Sequence, residues 1–225
     1  STIQGVIFNA VKKLDINCEN FVGAGRTDAG VHAIGQVAHV DLETKRSCET
    51  VKKAINYYLS RYPISILATK EVSGDFHARF SALKRHYTYK IFSRTTDLTF
   101  ERSQFWHVRH QLDTSNMELA AAYLIGKHDF TTFRSSICQA SNPVKTIDKI
   151  RIKSQKLRDG TIYEFDLSAR SFLHNQVRSI VGCLEKVGCG KWTPEKIQEI
   201  LLSKDRSKCA ALAPPGGLYL TEIEY

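Results

Sequence analysis

No run of about 18 or more apolar residues occurs in the chain, which excludes a membrane-crossing helix. Ser1 to Gln4 has neither a basic nor an apolar leader character, so no signal peptide is expected. The six cysteines, at positions 18, 48, 138, 183, 189 and 209, make no CxxC pair and no dense framework. A disulfide-stapled secreted scaffold is therefore not expected, and a reducing cytoplasm is the natural location. His107-Val108-Arg109-His110 is the one close histidine pair, and no cysteine stands at ligand spacing from it, so no metal is expected. A GxGxxG phosphate loop would need glycine where Asp28 stands, and no Gly-Lys-Ser/Thr occurs. A nucleotide-binding enzyme built on Gly23-Ala24-Gly25 is thereby disfavoured.

What is present is basic. Lys and Arg number 32 against 23 Asp and Glu, a formal charge of +9 on 225 residues. An excess of that size favours a polyanionic partner, RNA or DNA foremost. Basic residues also gather beside aromatics, as in Phe76-His77-Ala78-Arg79-Phe80 and Lys84-Arg85-His86-Tyr87. Arginine and aromatic faces together can bind phosphates and stack unpaired bases.

Apolar spacing predicts a helix over 2–15, a strand over 20–23 and a β-rich stretch over 36–42. A helix capped by Ser47 follows, carrying Val51, Ala54, Ile55, Tyr58 and Leu59, and then a strand over 64–72. Residues 76–84 read as a connector between a first domain, 1–75, and a second, 85–225. The second begins with a strand over 85–92 that puts Tyr87 and Tyr89 on one face. A helix started by Asp113 or Ser115 and ended by Gly126 comes next, then a polar, aromatic-bearing loop over 128–136 that could face RNA. Residues 144–153 and 161–169 read as a hairpin. The apolar stripe Leu173, Val177, Ile180, Val181, Leu184 and Val187 predicts the best helix of the chain. Thr193-Pro194-Glu195 starts a short helix, and 218–225 alternates as a closing strand. The class is α+β in both halves, with no sequence repeat between them.

One stretch stands apart: Gly23-Ala24-Gly25-Arg26-Thr27-Asp28-Ala29-Gly30-Val31-His32-Ala33. Three glycines and three alanines leave little bulk around Asp28, so a planar ligand could come close to the backbone. A carboxylate in such a bare turn, with Arg26 two residues before it, suggests a nucleophile or base that meets a polyanion. A plain turn in which Asp28 caps the backbone fits the same residues.

The order of residues is more specific. Gly25-Arg26-Thr27-Asp28-Ala29-Gly30-Val31-His32-Ala33, followed by Gly35-Gln36-Val37-Ala38-His39, closely resembles the signature of the bacterial tRNA pseudouridine synthase A (TruA-like) family. Phe76 to Ala82 with Arg85-His86-Tyr87-Thr88-Tyr89 resembles its second motif, and Phe172-Leu173-His174-Asn175-Gln176-Val177-Arg178 its third. Gly217-Leu218-Tyr219-Leu220 matches the terminal strand. The family's usual opening strand and loop, ahead of the first helix, have no counterpart here, so the first domain is expected to lack a strand.

The resemblance implies Asp28 as the essential nucleophile, Tyr87 as the active-site tyrosine and Arg178 as the basic partner. Whether attack falls on C1′ of the sugar or C6 of the base stays open. Read alone, Tyr87 fits a core tyrosine better than an active-site one, and Arg178 fits a solvated flank beside an aliphatic stripe as well as a buried partner. Arg26 is a candidate to hold a flipped nucleotide; His32, Arg79 and His128 are candidates for RNA backbone contacts. The implied fold is two RRM-like α/β-sandwich halves joined into an extended antiparallel sheet, with helices on one face and a central cleft. Asp28 from the first half would meet Tyr87 and Arg178 from the second across that cleft. The implied activity is uridine isomerisation at positions 38–40 of the tRNA anticodon stem-loop by a homodimer, with no cofactor and no metal. A non-catalytic RNA-binding module or tRNA chaperone is the rival, and it has no need for Asp28 paired with Arg178.

Overall fold

The computed structural model describes residues 2–225. In chain order these form α1 (Ile3–Leu14), β1 (Glu19–Gly23), β2 (His32–Ala33), β3 (Ala38–Asp41), α2 (Cys48–Leu59), β4 (Lys84–Ser93) and β5 (Trp106–Val108). There follow α3 (Thr114–Ala122), β6 (Gly126–Asp129), β7 (Val144–Lys156), β8 (Thr161–Ala169), α4 (Gln176–Gly188), α5 (Glu195–Ser203) and β9 (Leu218–Glu224). Two compact units result: residues up to Arg26 with Val37–Ala82, and Thr27–Gln36 with Leu83–Tyr225. The Asp28 loop thus packs with the second unit, not with the first domain as expected. Among the described residues no helix is long and apolar enough to cross a membrane.

In the first unit, Thr2 and Ser47 cap α1 and α2 by accepting from the Gly5 and Thr50 amides. Ala10, Val11, Cys18, Ile55 and Leu59 form its small core, with Phe8, Phe21 and Val40 packed around it. β1 and β3 pair antiparallel as a two-stranded ladder. The strand expected over 64–72 does not form. Side chains of α2 take the place of a neighbouring strand: the Asn56 amide donates to the Ile66 carbonyl (2.9 Å) and accepts from its N–H (2.7 Å). Backbone groups satisfied in this way need no ladder.

The second unit is a seven-stranded sheet in the order β2-β9-β4-β8-β7-β6, with β5 beside β4. β2 runs parallel to β9 and β5 parallel to β4, while the other pairings are antiparallel. Among the described residues the ladders therefore form two sheets rather than one extended antiparallel sheet. Tyr89, Ile91, Phe165 and Leu167 from the strands share one core with Met117 of α3, Ile180 and Leu184 of α4, and Ile197 of α5.

Two local readings change. Residues 128–136 are not an open loop: β6 ends at Asp129, a short turn spans Thr131–Phe133, and Phe130, Thr132 and Phe133 are buried. The aromatics there serve the core. In α4, eleven of the thirteen residues are buried, so the helix is covered on more than its aliphatic stripe.

β2 is short, and its hold on β9 depends on close approach at one residue. Ile34 and Gly35 both donate to the Leu220 carbonyl (2.8 and 3.1 Å), and a Cβ on Gly35 would stand 2.1 Å from the Thr221 carbonyl oxygen. Gly35→Ala is expected to destabilise the protein by about 1–3 kcal/mol, the usual cost of overpacking. A thermal or urea midpoint unchanged from the parent would show that β2 does not need this contact.

Candidate active site

Because β2 is laid against β9 immediately after it, the Asp28 turn is anchored at its exit; at its start the Val31 amide donates to the Asp28 carbonyl (3.1 Å). His32 adds to the anchor. Its ring stacks on Tyr219 (4.7 Å between centroids, 18° between planes) and its Nε2 donates to the Ser103 carbonyl (2.8 Å).

The partner of the loop is the start of α4. Arg178, in the first helical turn, donates from Nη1 to Asp28 Oδ2 (2.7 Å) and to Asn175 Oδ1 (3.2 Å), and from Nε to the Ala213 carbonyl (2.8 Å). His174, just ahead of the helix, donates from Nε2 to Asp28 Oδ1 (3.0 Å). Both carboxylate oxygens are thus engaged, by different residues. Side-chain exposure is 12% for Arg178, 29% for Asp28 and 38% for His174. Arg178 is therefore no solvated flank: its Nε and Nη1 serve two neutral acceptors and one carboxylate at once, a spread of donors that a guanidinium supplies and an ammonium does not.

Tyr87 lies on β4 opposite Leu167 of β8, just past an irregularity in its pairing with β9. Its ring meets Phe172 edge-on at 5.3 Å. Burial pushes its phenol above the ordinary value, with the Asp28 charge adding to the rise and Arg85 opposing it. The hydroxyl stays protonated at neutral pH, and Asp28 is close enough to be felt. Tyr89, two residues on, differs in use: it is fully buried and donates to the Pro214 carbonyl (2.7 Å). Among the described residues the Tyr87 hydroxyl has no such partner.

The second unit thus brings Asp28, Arg178 and Tyr87 into one region, with His32 bracing the loop. Arg26, exposed, and Arg79, whose guanidinium lies 5.7 Å from the Phe80 ring, belong to the first unit. His128 donates to the Ile125 carbonyl (2.9 Å) and packs edge-on against Phe130, a local arrangement. Sequence reasoning passed over His174. Its signal was position: immediately upstream of a helix start is where side chains fold back over the first turn.

Among the described residues one cluster could hold a metal: His110, Glu185 and Cys189, with ligand atoms within 4.8 Å of one another. Glu185 is already engaged by His110 (2.8 Å) and lies 2.9 Å from the Lys186 ammonium, whose charge opposes a cation. Spacing along the chain could not reveal this group, since His110 and Glu185 are far apart in sequence.

A shielded carboxylate aimed by a nearly buried guanidinium, on a basic α+β scaffold, is an arrangement suited to glycosyl or base chemistry on a polyanion. The comparisons agree. A family model described as tRNA pseudouridine synthase matches residues 1–81 and 120–225. The tRNA pseudouridine synthase A of Parvibaculum lavamentivorans (strain DS-1) is 48% identical over 224 residues, covering 100% of this chain and 89% of that protein. That of Paracoccus denitrificans (strain Pd 1222) is 48% identical over 227 residues (100% and 87%), and that of Cereibacter sphaeroides (strain KD131) 46% over 225 (100% and 88%). The chain belongs to the tRNA pseudouridine synthase family.

Arg178→Ala removes the partner of a shielded carboxylate, which costs about 2–4 kcal/mol where the remaining charge keeps some access to water. The variant is expected to melt earlier and to lose activity, whereas Arg178→Lys should recover more of the stability than of the rate. A melting midpoint for Arg178→Ala equal to the parent's would return Arg178 to the solvated reading.

Proposed function

We propose that Asp28 is the nucleophile with which this tRNA uridine isomerase converts uridine to pseudouridine at positions 38–40 of the anticodon stem-loop. The observation that carries the reading is the division of labour on one carboxylate. Arg178, nearly buried, keeps Oδ2, while His174, the more exposed partner, covers Oδ1. Substrate can displace the exposed partner without disturbing the buried one, so Oδ1 is the reacting oxygen.

Pseudouridine formation breaks the N1–C1′ bond, turns the base, joins C5 to C1′ and releases the C5 proton. No atoms are gained or lost overall once the proton is replaced on N1, so neither a redox equivalent nor ATP enters the balance. Attack at C1′ and attack at C6 both begin with Asp28 held and aimed, which is what Arg178 does. Tyr87 offers a ring face to uracil and a protonated hydroxyl to its polar edge. Because that phenol is held neutral, it serves by stacking and hydrogen bonding rather than as a ready-formed phenolate.

A uridine in a stem must leave its stack to reach the site, at a cost of a few kcal/mol. Arg26, two residues before Asp28, holds the flipped nucleotide or fills the space it leaves. We assign the enzyme to the cytoplasm as a homodimer that clamps one tRNA, a partner that the formal charge of +9 favours.

Tritium release from tRNA labelled at C5 of uridine tests the centre of this reading. The parent should release tritium and Asp28→Asn should not, while both bind tRNA. Equal release from both would remove Asp28 from the chemistry; release from neither, with binding intact, would favour the RNA-binding module. In the same assay Arg26→Ala should bind tRNA nearly normally yet turn over poorly, and an unaltered turnover would take Arg26 out of the mechanism.

A further inference from the structure

Cys183 and Cys209 face each other with their sulfurs 3.4 Å apart, both as free thiols, and neither takes part in the chemistry above. Cys183 is fully buried on α4; Cys209 is half-buried, just after the short turn Arg206–Lys208. From Cys209 onward the chain is laid along α4 with a contact at every second residue. Cys209 meets Cys183. The Ala211 carbonyl oxygen occupies the place beside Gly182 where a Cβ would stand, 2.4 Å from it. Ala213 donates to the Arg178 carbonyl (3.3 Å) and accepts from Arg178 Nε (2.8 Å). The segment therefore runs antiparallel to the helix, from the sulfur pair to the arginine that holds Asp28.

The two thiols are chemically unequal. The hydrogen bond between the two sulfurs, together with burial, pushes Cys183 up. Cys209 is lowered, first by that hydrogen bond and then by the Arg206 guanidinium, against the opposing effect of its partial burial. Arg206 is itself fixed, donating to Ser179 Oγ (2.9 Å) and the Thr132 carbonyl (3.2 Å). A partly exposed, cation-flanked sulfur beside a buried second thiol is the pattern of an attacking and a resolving cysteine.

We infer that Cys183 and Cys209 form a peroxide-oxidisable dithiol whose disulfide shifts the 209–213 segment and loosens the aim of Arg178 on Asp28. The Cys209 thiolate attacks one oxygen of hydrogen peroxide, breaking the O–O bond to give a sulfenic acid and hydroxide. Cys183 sulfur then attacks the sulfenic sulfur, its proton leaving with the displaced hydroxyl as water. Two thiols and one peroxide become one disulfide and two waters, with two electrons passing from the sulfurs to the peroxide oxygens. The S–S bond, about 2.05 Å, is shorter than the present contact, so forming it draws Cys209 toward α4. Ala211 already abuts Gly182, so the movement passes along the segment to Ala213.

The consequence for rate rests on Asp28 being the catalytic carboxylate; the mapping of the bond does not. The full-length protein is treated with a few equivalents of hydrogen peroxide, the remaining thiols are alkylated, and the digest is read by mass spectrometry beside a tritium-release assay. Expected are a Cys183–Cys209 linked peptide that dithiothreitol removes, and a fall in kcat of roughly tenfold or more with KM for tRNA little changed, reversed by the same reductant. Cys209→Ser, active before treatment, should form no such link and keep its rate under the same peroxide. The inference is overturned if thiols are consumed without that linked peptide, if the link forms with kcat unaltered, or if Cys209→Ser loses its rate in parallel. An untreated enzyme that releases no tritium, yet forms the link, would overturn the coupling to rate while the mapped bond identified the oxidation site.

Discussion

The bond between Asp28 and Arg178 is the constraint around which the second unit is arranged. A carboxylate two-thirds or more out of water is costly unless its oxygens are met by donors held in place. Meeting that condition takes elements far apart in the chain: the loop after Arg26, the first turn of α4, and Ala213 just ahead of the closing strand. β2, only two residues long, makes sense in this light. Its parallel pairing with β9 contributes little sheet, but it pins the Asp28 loop to the unit that carries Arg178.

Elements whose pattern lies in their own residues were legible in the sequence. The caps at Ser47 and Asp113, the β7–β8 hairpin and the aliphatic stripe of α4 were all expected where they occur. Features defined by a distant partner were not. Residues 64–72 have strand-like composition, yet Asn56 takes the Ile66 backbone groups that a ladder would have used. Residues 128–136 read as an aromatic-bearing loop that could face RNA because composition does not report that Phe130 and Phe133 are buried. Membership of the Asp28 loop in the second unit depends on pairing with β9, nearly two hundred residues downstream.

The site shows the same division. Asp28, Tyr87 and Arg178 were named from ordered motifs, but periodicity described α4 as one apolar stripe and left Arg178 on a flank. The flank is covered by the segment after Cys209, which no window of α4 contains. Tyr87 and Tyr89 were correctly set on one face, since alternate residues of a strand share a side. Their separate uses come from the third dimension: Pro214 reaches the Tyr89 hydroxyl and closes it off, while the neighbouring irregularity in the β4–β9 ladder leaves Tyr87 beside Phe172 with its hydroxyl unpaired among the described residues.

Charge explains why such a carboxylate belongs in a protein that meets RNA. A bare aspartate would repel the phosphates that a surplus of nine positive charges attracts. Within the trio, Asp28 contributes one negative charge, Arg178 one positive, and His174 either none or one positive. The local sum is never negative, whatever the state of the histidine. A polyanion approaching this trio therefore meets no net negative charge, and both carboxylate oxygens are already held, by donors at 3.0 and 2.7 Å. The pairing that makes a shielded Asp28 stable is thus also what makes it compatible with an anionic substrate.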